Sequence, residues 1–156
     1  MFHRNPSLYY PYGSGEIFLM TPETKFKNEV QKWLISQGIY QAGTPEHKIT
    51  EPIKGWFVKI WGGGMQKEGI PDILMCVNGF FVSLELKSEK GRPSALQKKN
   101  TAMVNESNGV GIILYPDGFE NFKNIVRGLM DCKCHIPVLN ASTVVHGSTR
   151  CAIWKG

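Results

Sequence analysis

Hydrophobic positions along this chain follow two spacings, and the change from one to the other marks out its elements. Thr21-Pro22 supplies a helix cap and a first-turn residue, after which Phe26, Val30, Trp33, Leu34 and Gln37 recur at helical spacing up to a stop at Gly38. From Gln41 to Gly55 glycine and proline interrupt any periodicity, which predicts a connecting loop. Trp56 to Trp61 is aromatic and β-branched enough for a strand, and Gly62-Gly63-Gly64 opens a flexible link behind it. Further on, a helix is predicted from about Pro93 to Ser107, with Ala95, Leu96, Ala102, Met103 and Val104 on its apolar side. Val110 to Tyr115 reads as a buried strand, and Phe119, Phe122, Ile125, Val126, Leu129 and Met130 as a last helix.

The strongest local signal lies between these, in Gly69 to Lys87. Two runs rich in Ile, Val, Leu and Phe flank Asn78-Gly79, the pair best suited to a two-residue hairpin turn because both positions need positive φ. With Asn78 and Gly79 as the loop, Val77 opposes Phe80 and Asp72 opposes Glu85. Period-two alternation then gives one wholly apolar face, made of Ile73, Met75, Val77, Phe80, Val82 and Leu84. The other face carries Asp72, Glu85 and Lys87 near its open end, with Leu74, Cys76 and Ser83. The order α-β-β-β-α-β-α predicts an α/β domain with a mixed sheet covered on both sides.

Side chains directly opposite in a hairpin stand roughly 4.5 to 5.5 Å apart at Cβ, and like charges there repel. Opposed carboxylates at that distance suit a hard divalent cation, which takes oxygen ligands. Lys87 beside them could hold an attacking water or lower its pKa, while the ion offsets charge on a phosphate. The plainer reading is a solvated hairpin face with a surface ion pair between Glu85 and Lys87. Glu29 falls at the edge of the first helix's apolar stripe, where it is either a third acid at the metal site or a residue paired with Lys25, Lys32 or solvent. Lys90, Arg92, Lys98 and Lys99 flank the open end of the hairpin, placed for phosphates or for an ordinary solvated helix face.

Composition adds three constraints. A length of 156 residues fits one domain, and a net charge of +5 favours a polyanionic partner. No run approaches the ~18 apolar residues of a membrane span, and no secretory leader pattern is present, so a cytoplasmic protein is expected. The cysteines Cys76, Cys132, Cys134 and Cys151 form no dense disulfide framework. Cys132, Cys134, His135, His146 and Cys151 match neither usual zinc spacing, so free thiols in a partly ordered tail are expected over a structural zinc.

Gly69-Ile-Pro-Asp72, Glu85-Leu-Lys87 and Ser94-Ala-Leu-Gln97, in that order with a hairpin between the first two, resemble the virus-type replication-repair nuclease (VRR-NUC) domain, a branch of the PD-(D/E)XK nuclease superfamily. The resemblance covers roughly Met20 to Met130. It implies a restriction-endonuclease-like core over residues 20–130, between an N-terminal arm or extension (1–19) and a Cys/His-containing tail (131–156), neither of which has a counterpart in the pattern. Carried over, Asp72, Glu85 and the helix-borne Glu29 become ligands of Mg2+ or Mn2+. Lys87 positions or activates water, and Gln97 is an accessory residue. The implied protein is a homodimeric endonuclease acting on branched DNA such as a Holliday junction. A catalytically silent DNA-binding or host-factor-blocking phage protein on the same fold is the alternative.

Overall fold

In a computed structural model that describes residues 20–60 and 68–132, Asn78 and Gly79 take positive φ values of 48° and 88° and reverse the chain in two residues. Such angles belong to a type I′ turn, whose twist matches the strands it joins. Strands β1 (Ile39–Gln41), β2 (Gly55–Lys59), β3 (Ile73–Val77), β4 (Phe80–Leu86) and β5 (Val110–Leu114) form one sheet in that order. The hairpin β3–β4 pairs Val77 with Phe80 and Ile73 with Leu84, the predicted register. β2 runs antiparallel to β3, and β5 parallel to β4.

β1 corrects the sequence reading, which began a loop at Gln41 and gave no strand before Trp56. Three residues are too few to display a period, and β1 is defined by its parallel pairing with β2, Tyr40 opposite Trp56. The mixed α/β sheet is therefore five-stranded, one strand more than expected.

Helices α1 (Pro22–Ser36) and α3 (Phe119–Asp131) cover the apolar face. Thr21 Oγ1 accepts from Thr24 N and caps α1 as expected. Phe26 meets Phe119 edge-on at 5.7 Å and Trp33 meets Phe122 at 5.8 Å, locking the two helices over Ile73, Met75, Val82 and Leu84. At the hairpin tip, the Asn78 amide donates to the carbonyls of Leu129 (2.9 Å) and Cys132 (2.7 Å), tying the turn to the end of α3.

Helix α2 (Ala95–Glu106) lies on the other face against β4 and β5, and it departs from the predicted amphipathic pattern. None of its residues is fully buried, and Leu96 and Met103 are 40% and 52% exposed. Backbone approach and polar ties position it instead. A Cβ on Gly111 would lie 2.5 Å from the Thr101 carbonyl oxygen, and one on Gly69 the same distance from Leu96 Cγ. The Gly69 carbonyl accepts from Asn100 Nδ2 at 2.7 Å. Beyond α2, the in-register row Trp56, Cys76 and Phe81 stays exposed on the same face.

No helix among the described residues is long and apolar enough to cross a membrane. Residues 1–19, Trp61 with the Gly62-Gly63-Gly64 link, and Cys134, His135, His146 and Cys151 of the tail lie outside the described residues.

The two kinds of glycine give opposite expectations. Gly111→Ala pushes a methyl into the Thr101 backbone and should lower stability by about 1–3 kcal/mol. In α3, a Cβ on Gly128 meets nothing within 4 Å, so Gly128→Ala should raise it by up to about 1 kcal/mol. Urea unfolding of both variants checks the ranking.

Candidate active site

Asp72 stands at the entry to β3, where Pro71 has no N–H to offer its neighbour. Its carbonyl accepts from Ile60 N at 2.8 Å, and its carboxylate Oδ2 accepts from Leu86 N at 2.8 Å. A side chain thus closes the open end of the hairpin. The second oxygen, Oδ1, accepts from Lys27 Nζ of α1 at 2.8 Å, and the same ammonium pairs with Glu23 at 2.7 Å.

Glu85 continues the β3–β4 register opposite Asp72 and sits beside Ile113 of β5 on the α2 face. Its Oε1 accepts from Lys87 Nζ at 2.7 Å and from Gln97 Nε2. Gln97 is held for this by a capping box: its Oε1 accepts from Ser94 N at 2.8 Å while Ser94 Oγ accepts from Gln97 N at 3.1 Å. With the amide oxygen fixed, the amide nitrogen points at Glu85. Glu85 Oε2 accepts from no described donor.

Burial bears on the plainer sequence reading of this pair. The Glu85 and Lys87 side chains are only 4% and 14% exposed, so they are not a solvated surface pair. Burial pushes the Glu85 carboxyl above its usual pKa; the Lys87 hydrogen bond works against this, and the nearby Asp72 charge adds to it. For Lys27, burial opposes the ammonium, yet hydrogen bonds and charge from Asp72 and Glu23 outweigh it and hold its pKa above the ordinary value. Three carboxylates and two ammoniums therefore share one corner of the sheet.

The donor set suits Mg2+ or Mn2+. Its ligand atoms are hard carboxylate oxygens, one of them open, in a place where a like charge already penalises ionisation. Among the described residues no group of three or more His, Cys, Asp or Glu converges on one point. The acids come as a pair, and magnesium commonly uses one or two protein carboxylates.

Glu29 does not join them. It is exposed, makes no described hydrogen bond or ion pair, and lines a separate cleft with Lys25, Ser88 and Lys90. The α1 residues that reach the sheet acids are Lys27 directly and Glu23 through it, neither of which sequence reasoning singled out. A signal was available: Glu23, Lys27, Val30 and Leu34 follow one another at spacings of four, three and four, a single stripe ending in two buried residues. Lys90, Arg92, Lys98 and Lys99 are exposed at the entry to α2, with no described acidic partner.

No protein-family model, no curated protein and no solved structure matches this chain.

The raised pKa of Glu85 has a definite sign in stability. Between its unfolded and folded values the native state holds the proton more firmly, so stability falls as pH rises through that window. Denaturation of wild type and Glu85→Gln from pH 4 to 8 should therefore show wild type losing stability relative to the variant above about pH 4.5, the ordinary glutamate range.

Proposed function

We propose that this protein is a Mg2+- or Mn2+-dependent endonuclease of the PD-(D/E)XK type, in its VRR-NUC branch, that hydrolyses DNA phosphodiester bonds. The observation that carries the proposal is the convergence of Asp72, Glu85, Lys87 and Gln97 at the open end of one hairpin, with Glu85 buried beside a like charge. Choice of branched DNA and a homodimeric state rest on resemblance alone, and a place in the cytoplasm on the sequence pattern.

When bound, the divalent ion supplies positive charge against the phosphate and makes water a better nucleophile. Asp72 and Glu85 would hold it. Gln97 keeps the Glu85 carboxylate oriented through its capping box, so the ligand is arranged before substrate arrives. Lys87, drawn against Glu85, can donate to the attacking water or to a non-bridging phosphate oxygen. Lys90, Arg92, Lys98 and Lys99 would bind phosphates on either side of the cut.

One observation favours a silent DNA-binding protein: Asp72 and Glu85 each already carry a lysine partner. Labelled linear, flap, fork and four-way junction DNA, incubated with and without Mg2+ or Mn2+, separates the two. Metal-dependent cleavage is expected, falling by about 100-fold or more in Asp72→Asn and Lys87→Ala. Binding without any cleavage by wild type would leave only the silent reading. Lys98→Ala should weaken binding and lower its salt slope by about one unit while leaving the chemistry in place.

A further inference from the structure

We infer that the Lys27 ammonium occupies the cation position on Asp72 in the resting site and yields it when a divalent ion binds, so that Lys27 sets the affinity of the site for the ion. This rests on the metal-dependent reading above. Asp72 Oδ2 is engaged by Leu86 N, so an ion approaching the carboxylate meets Lys27 on Oδ1. The ammonium nitrogen stands 2.8 Å from that oxygen. Magnesium binds carboxylate oxygen at about 2.0–2.1 Å, and two cations held on the same oxygen in a half-buried corner repel strongly.

The surroundings fit an exchange. Without an ion, Lys27 offsets the like charges of Asp72 and Glu85 and ties α1 to the hairpin. Glu23, on the more exposed side at 40%, holds the same ammonium at 2.7 Å, so releasing Asp72 does not strip Lys27 of a partner. Counting formal charges, Glu23, Asp72 and Glu85 against Lys27 and Lys87 leave the resting corner one negative. A divalent ion added with Lys27 withdrawn to Glu23 turns it one positive, the complement of a single phosphodiester.

The test is Mn2+ binding to the full chain, read from the electron paramagnetic resonance signal of the free ion, without substrate or turnover. Lys27→Met should bind Mn2+ at least about tenfold more tightly than wild type, since the competing charge is gone. Lys27→Arg, which keeps the charge, should stay within about threefold of wild type, and Asp72→Asn should bind much more weakly. In melting experiments Lys27→Met should be less stable than wild type in chelator and gain more from Mn2+. If Lys27→Met does not fold, Lys27→Gln replaces it, with a gain of about threefold or more expected. Saturable binding by wild type with no tightening in the uncharged variant overturns the role of Lys27 and leaves the metal-dependent reading standing. No saturable binding by wild type or variants at millimolar Mn2+ overturns both.

Discussion

Glu85 is a carboxylate taken out of water next to another carboxylate, and the corner around it is organised to make that tolerable. A buried charge is sustained only when paired and hydrogen-bonded, and removing one partner costs far more than the pair gains. Lys87 supplies the opposite charge, Gln97 a second donor to the same oxygen, and Lys27 neutralises Asp72 from across the hairpin. Four elements, α1, β3, β4 and α2, thereby meet on two acids.

The rest of the fold holds those four in place. α1 and α3 interlock through their aromatic rings and press on the apolar face, which fixes the hairpin from behind. On the acid face α2 has little apolar burial to anchor it and depends on glycine-permitted backbone contact and on Asn100. The packed side gives rigidity, while the polar side holds Asp72 and Glu85 in a network of ion pairs and hydrogen bonds.

Local chemistry was legible in the sequence and long-range placement was not. Asn78-Gly79 announced its turn, and the pairing of Ile73 with Leu84 followed from it. Thr21 announced its cap because capping is settled within three residues, whereas the helix expected from about Pro93 begins at Ala95 with Ser94 as its cap. β1 was hidden, since a three-residue strand exists only by virtue of its neighbour. Glu29 lay beside the apolar stripe, but which turn of α1 crosses the open end of the hairpin depends on how the helix docks, and that brought Lys27 and Glu23 to Asp72 instead. Met103 and Leu96 misled for the same reason, because apolar spacing does not reveal whether anything covers it.

The two-residue turn also decides what kinds of inherited change the protein can absorb. Each step along β3 or β4 swaps one side of the sheet for the other, so losing a single residue between Asn78 and Asp72, or between Gly79 and Glu85, would carry that acid through to the side of Phe26 and Phe122. Exchanging one apolar residue for another in those strands changes only packing. In this hairpin, chain length is therefore guarded more strictly than residue identity.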